Sequence, residues 1–255
     1  MSGAGEILVV GLGPGPELWR TPEASAALER ATDLVGYEPY LARCPEQPGQ
    51  MRHGSDNRVE LERARLAIDL ARAGRLVAVV SGGDPGVFAM AAAVVEAVEA
   101  DPNARHLSVT VMPGVSAMQA AAARLGAPLG HDFCAISLSD NLKPWALVEK
   151  RLRAAADGDF VIALYNPASK ARPARIFEAF DLLRSLKAGS TPVAFARAVG
   201  RPDERIVVTT LAEADPSIVD MATLVIIGSS QSRQIDRPGD TPWILSPRQA
   251  SGGAA

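Results

Sequence analysis

The chain carries a short, fully apolar run at Ile7-Leu8-Val9-Val10 and a second at Leu76-Val77-Ala78-Val79-Val80, each followed within a residue or two by glycine. Continuous apolar runs of this length mark strands buried on both faces, as in a parallel sheet. Between them the apolar positions recur at helical spacing. Thr21-Pro22-Glu23 is a helix start, with a capping hydroxyl, proline at the first position and an acid at the positive end of the dipole. That helix is expected to end near Arg30, before a second strand around Leu34-Val35. Leu66, Ala67, Leu70 and Ala71 share one face of a helix headed by a capping box, Asn57 with Glu60, and ending at Gly74. A further helix is expected over about 86–100, a strand over 107–111, and a helix headed by the capping box of Ser116 and Gln119 and stopped by Gly126.

From Pro128 the texture changes to fewer glycine loops and more β-branched strands, expected at 133–138, 159–164, 192–196, 205–210 and 223–227, with helices at 145–156 and 173–187. The Gly-Arg-Pro-Asp turn before Arg205 makes 205–210 one arm of an antiparallel pair, so the second sheet should be mixed. The pattern is that of an α/β chain with two α/β domains, 1–118 around a mainly parallel sheet and 119–235 around a mixed one. A tail, 236–255, is expected to be partly disordered. A length of 255 residues fits this division, because single cores of about 100 to 150 residues are the common size.

Residues 36–58 read as a long irregular connection holding Tyr37, Tyr40, Arg52, His53 and Arg58. Connections of that length in compact domains are functional or disordered. For His53 and the arginines the choice lies between a solvated surface and a ligand contact.

Composition narrows the function. With 47% hydrophobic and 22% charged residues the chain is an ordinary globular protein, and a net charge of −3 argues against a broadly basic nucleic-acid surface and leaves room only for a local patch, so no nucleic-acid partner is expected. Two cysteines, Cys44 and Cys134, match no zinc spacing and form no disulfide framework, so a reduced, cytoplasmic protein without a metal site is expected. The first residues lack a signal pattern and no apolar run approaches about 18 residues, so neither secretion nor a membrane partner is expected.

Three glycine-containing loops follow strands: Gly11-Leu12-Gly13-Pro14-Gly15-Pro16, Ser81-Gly82-Gly83-Asp84-Pro85-Gly86, and Met112-Pro113-Gly114-Val115-Ser116. In a parallel sheet such loops converge on the edge where open α/β sheets bind ligands. Pro85 suits the first turn of the following helix, and Asp84 either caps that helix or faces the crevice. The first loop is no dinucleotide fingerprint, because Pro16 stands where the third glycine belongs.

Taken in order, Gly11-Leu-Gly-Pro-Gly15, Gly83-Asp84-Pro85, Pro113-Gly114-Val115-Ser116-Ala117 and Ala163-Leu164-Tyr165-Asn166 resemble the tetrapyrrole methylase family of S-adenosylmethionine enzymes, over residues 6–230. Residues 36–40, 53–58, 138–145 and 165–172 resemble its branch that methylates C-17 of precorrin-3B in cobalamin biosynthesis. The resemblance implies a kidney-shaped homodimer of two-domain chains, with S-adenosyl-L-methionine in the trough between domains and S-adenosyl-L-homocysteine as product. It implies methylation of a tetrapyrrole substrate, precorrin-3B, with ring contraction to precorrin-4. The alternative is another methylase of the superfamily, acting on uroporphyrinogen, another precorrin or ribosomal RNA ribose.

Carried over by motif, the donor should touch Gly82, Asp84, Val87, Ser116, Ala117, Tyr165 and Asn166, and, on looser motifs, Ala194, Arg197, Thr223 and Leu224. Gly13, Pro14 and Tyr40 should border the macrocycle, whose carboxylates call for Arg52, Arg58, Lys143, Lys170, Arg172 and Arg197. His53, Asp140 and Lys143 are the candidates for the proton transfers of contraction, with surface or substrate-carboxylate contacts as the other reading.

Overall fold

The computed structural model describes residues 5–56, 59–168 and 173–249. They form two compact units that divide between Ala117 and Met118.

The first unit runs β1 (Glu6–Gly11), α1 (Pro22–Arg30), β2 (Asp33–Tyr37), α2 (Glu38–Leu41), β3 (Met51–Ser55), α3 (Glu60–Arg72), β4 (Leu76–Ser81), α4 (Met90–Ala100) and β5 (Ser108–Met112). Its sheet is wholly parallel in the order β3-β2-β4-β1-β5. Ile7, Val9, Val35, Val77 and Val79 face α3 and α4, whereas Leu8, Val10, Leu34, Ala78 and Val80 pack with α1 and Leu41. This alternation is why both faces of each strand had to be apolar. Neighbouring strands β1 and β4 lead to helices on opposite faces, so their carboxyl ends form a topological switch point, where such sheets open a crevice.

The second unit takes in α5 (Ala117–Leu125), β6 (Gly126–Ala127), β7 (Phe133–Ser137), α6 (Trp145–Asp157), β8 (Val161–Tyr165), α7 (Arg175–Arg184), β9 (Pro192–Arg197), β10 (Arg205–Thr210), β11 (Thr223–Ile227), β12 (Arg233–Ile235) and β13 (Trp243–Leu245). Its main sheet is mixed, ordered β10-β9-β11-β8-β7, with only β7 and β8 parallel. Leu152, Phe180, Leu183, Val193 and Phe195 fill the core beneath α6 and α7, and the rings of Phe180 and Phe195 stack at 5.8 Å. Fully burying side chains of this kind stabilises by roughly 1.5 to 3 kcal/mol each.

Helix α1 starts as expected, with Thr21 Oγ1 accepting from the Ala24 N–H at 3.2 Å and Pro22 at the first position. Two expectations need correction. Helix α4 begins at Met90, not near Gly86, because Phe88 adopts a left-handed φ of 52° that no helix accommodates; Pro85 therefore lies in a loop and in no first turn. The connection 36–58 is not irregular throughout, since it holds α2 and the edge strand β3. Helix α3 begins at Glu60, with Val59 in the cap position and no side-chain cap hydrogen bond from it; Asn57, expected to form a capping box with Glu60, lies outside the described residues. Within the stretch expected as a tail, Trp243–Leu245 pairs with β6 and β12.

Candidate active site

In the first unit the three glycine loops are tied together by their backbones. Gly13 and Gly83, both in the left-handed region at φ 67° and 71°, exchange two main-chain hydrogen bonds of 3.1 Å. A Cβ on Gly114 would lie 2.4 Å from the Gly83 oxygen, and one on Gly11 2.8 Å from the Gly114 nitrogen. Side chains would hold these loops apart, which is the reason for glycine here. Asp84 then links two of them: its Oδ1 accepts from the Gly86 N–H at 2.8 Å and its Oδ2 from the Gly114 N–H at 3.0 Å. It is a loop tie and not the cap of α4. An ionised carboxylate offers about four acceptor positions, so capacity for a ligand donor remains.

Around this knot Val87 and Ala117 are half-buried, Ser116 is buried, and Tyr40 leans on Gly82, where a Cβ would sit 2.6 Å from the ring. Gly13 is itself buried, with both main-chain groups engaged, whereas Pro14 of the same loop is half-buried and Pro16 exposed. Arg43, which the sequence did not single out, donates through Nη2 to the carbonyls of Leu12, Gly13 and Gly15 at 3.2, 2.8 and 3.0 Å.

Two candidates of this unit are engaged elsewhere. Arg52 donates to the carbonyls of Leu41, Cys44 and Pro45, which makes it a brace for the chain after α2 in place of a fork for substrate carboxylates. His53 Nε2 lies 2.9 Å from Asp33 Oδ1, and Asp33 also receives Arg75 Nε and the Thr32 hydroxyl, both at 2.7 Å. Burial works against the Asp33 charge, but hydrogen bonds from His53, Arg75 and Thr32 outweigh it and hold the carboxyl below its usual range. Asp33 opens β2 at the end opposite the glycine loops, and this pairing engages Nε2 of the imidazole there.

In the second unit, β7 and β8 end side by side in Ser137 and Tyr165. The Tyr165 hydroxyl accepts from the Met118 N–H at 3.1 Å. Asn166, at a left-handed φ of 51° that asparagine tolerates, donates from Nδ2 to Ser137 Oγ at 3.0 Å. Ser137 is thus a second residue the sequence did not flag. Beyond β7, Asp140 Oδ2 accepts from Arg175 Nε at 2.7 Å, while the Arg175 guanidinium lies 4.7 Å from the Trp145 ring centre. Lys143 is half-buried, and burial, then the charge of Arg151, pulls its ammonium below the ordinary lysine value.

The looser assignments fare differently. Arg197 is committed to Asp220 at 2.8 Å and Asp203 at 2.7 Å, which leaves it a strut between two acids. Thr223 donates to Asp220 Oδ1 at 2.8 Å, and Ala194 and Leu224 are 0% and 3% exposed, so these positions shape the sheet and present little surface to a ligand. Arg58, Lys170 and Arg172 lie outside the described residues.

A model of the family Tetrapyrrole (Corrin/Porphyrin) Methylases matches residues 6–215. The chain belongs to this family. Among tetrapyrrole methylases it is 56% identical to the precorrin-3B C(17)-methyltransferase of a Sinorhizobium species, over 97% of this chain and 98% of that one. The crystal structure of the methyltransferase CobJ, 51% identical, superposes with a TM-score of 0.91 over 95% of this chain and all of that one. A uroporphyrin-III C-methyl transferase from Thermus thermophilus, solved with S-adenyl homocysteine, is 25% identical with a TM-score of 0.68, over 88% of this chain and 97% of that one. The glycine loops and the Tyr165-Asn166 turn are therefore features of a methylase, and the corrections above concern which side chains are available within it.

Proposed function

We propose that this chain transfers a methyl group from S-adenosylmethionine to C-17 of precorrin-3B and contracts the ring to precorrin-4, in cobalamin biosynthesis. The observation that carries the reading is the near full-length identity to the Sinorhizobium enzyme of that name. The loops suit the donor: main-chain groups with one acid suit a ligand bearing an ammonium, a carboxylate and ribose hydroxyls. Gly82, Asp84, Val87, Ser116 and Ala117 would hold it in the first unit, with Tyr165 and Asn166 the candidates of the second.

When bound, S-adenosylmethionine supplies an electrophilic methyl group to an electron-rich macrocycle carbon and leaves as S-adenosylhomocysteine. No nucleophilic side chain is required, so the protein acts by holding the reactants at near-attack distance, about 3 to 3.5 Å. Gly83, Gly114 and Asp84 serve this by fixing the loop backbones. Contraction also moves protons, and Asp140 and Lys143 are assigned that part, worth roughly a hundred- to ten-thousand-fold. Pro14 and Tyr40 border the macrocycle in this proposal. A cytoplasmic homodimer belongs to the same proposal; among the described residues no helix is long and apolar enough to cross a membrane.

Incubating the protein with S-adenosylmethionine and precorrin-3B should yield a product heavier by one methyl group, with the visible spectrum of a contracted ring. A methylated product from uroporphyrinogen but none from precorrin-3B would replace this substrate assignment with the alternative one.

A further inference from the structure

We propose that Arg43 is a positioning residue for the macrocycle, holding the carbonyls on both sides of Pro14 through one guanidinium nitrogen. The inference rests on the reading above, in which Pro14 borders the tetrapyrrole. Gly13 O and Gly15 O lie 2.8 and 3.0 Å from Arg43 Nη2, with Leu12 O at 3.2 Å. Two N–H bonds shared among three acceptors fix the loop between residues 12 and 15 at one point.

The loop returns the contact. Arg20, at its far end, is buried, donates from Nη1 to Glu17 and from Nη2 to the Arg43 carbonyl, both at 3.2 Å. Arg43 is placed in turn by the end of α2, where its N–H donates to Tyr40 O at 3.1 Å. The same short helix carries Tyr40 against Gly82 of the donor loop. One segment thus sets both loops that the Gly13–Gly83 bridge joins.

The division of labour predicts what Arg43 controls. Upstream of Pro14 the loop is already pinned without it, by the Leu12 N–H to Ser81 O at 2.9 Å and by the Gly13–Gly83 pair. Downstream, Arg43 holds the Gly15 carbonyl. Removing it should leave β1 and the donor loop in place and free the far side of Pro14, so macrocycle binding suffers and donor binding does not.

The test uses Arg43→Met and Arg43→Lys in the full chain. Arg43→Met should raise the KM for precorrin-3B by about tenfold or more, as expected for losing a shared charge-assisted bond, while calorimetric affinity for S-adenosylhomocysteine holds. Arg43→Lys should recover most of the loss, since all three carbonyls meet at one nitrogen and an ammonium has three donors. Hydrogen exchange over residues 12–20 should quicken in Arg43→Met with β1 still protected. A folded Arg43→Met with unchanged KM, or one whose kcat alone falls with the folded fraction, overturns the proposal. If the wild-type protein does not turn over precorrin-3B, the substrate reading has failed instead, and unchanged exchange at 12–20 then counts against Arg43 separately.

Discussion

Replacing Asp84 with alanine removes a side chain that joins two of the glycine loops. Two bonds are lost, from the Gly86 N–H at 2.8 Å and the Gly114 N–H at 3.0 Å. The second matters more for the site, because Gly114 packs against Gly11 and Gly83 with no side chain between them, and only the carboxylate holds its N–H in that direction. A hydrogen bond to a charged group contributes about 1.5 to 3 kcal/mol. If the loops must keep this arrangement to receive the donor, the same energy appears as a loss of affinity of roughly ten- to a hundred-and-fifty-fold. Titration calorimetry of S-adenosylhomocysteine into Asp84→Ala measures it directly, with the melting temperature showing that the variant is folded. Asp84→Asn refines the result: it keeps one acceptor oxygen but turns an amide donor toward the other N–H, so it should fall close to alanine. A folded Asp84→Ala that binds with wild-type affinity would show that the tie and the donor are unrelated, and Asp84 would be a loop residue only.

Gly82→Ser should weaken donor binding while Tyr40 is present, since the new Cβ would meet the ring at 2.6 Å, and a Tyr40→Ala background should relieve it; a double-mutant cycle without coupling of about 0.5 kcal/mol or more would refute the contact. Asp33→Asn should destabilise by about 3 kcal/mol near neutral pH, because it breaks a buried carboxylate's pairing with Arg75 and His53. As the folded-state carboxyl is held below its ordinary 3.8, this stabilisation exists above that value and vanishes as pH falls through the depressed one, so wild-type and variant melting curves should converge in acid; a constant difference would contradict the assignment. Lys143→Met and Asp140→Asn should let methylated but uncontracted macrocycle accumulate, read from mass together with the visible spectrum. If each variant keeps or loses both steps together, these residues position substrate or do nothing. In the wild type, contraction that needs charged Lys143 should fail on raising pH at a point below 10.5, because burial lowers that ammonium's pKa.

What was legible along the chain is what a residue type demands by itself. Apolar runs at 7–10 and 76–80 had to be buried on both faces, Thr21-Pro22 had to start a helix, and the glycines at 13, 83 and 114 had to allow backbones to meet. The five strands of the second unit's main sheet and its two long helices followed from β-branched runs and periodicity, and the turn before Arg205 marked β10 as an antiparallel arm, which pairs with β9; β6, β12 and β13 were not foreseen. Strand β3 stayed hidden because Met51-Arg52-His53-Gly54-Ser55 has no alternation: as an edge strand it is held by backbone pairing to β2 and needs no buried face. The engagement of the arginines was hidden for a related reason. A guanidinium suits a ligand carboxylate and a main-chain carbonyl equally well, and nothing local tells Arg52, which braces its own loop, from Arg43, whose acceptors lie 28 to 31 residues upstream.

His53 shows the same limit from the side of chemistry. Its type made it a proton carrier, yet its partner is Asp33, 20 residues earlier, and only the parallel register of β2 with β3 decides that the two strands lie side by side. Sheet register is a property of two segments at once, so no reading of either segment contains it. Asp84 is the converse case: its sequence neighbours pointed to a cap or a ligand contact, and the fold supplied a third partner, Gly114, 30 residues away in the loop after β5, the strand beyond β1. The glycine loops are therefore held by a contact that exists only once β4, β1 and β5 are in order, which makes their shape a consequence of the finished sheet and ties it to the stability of that sheet.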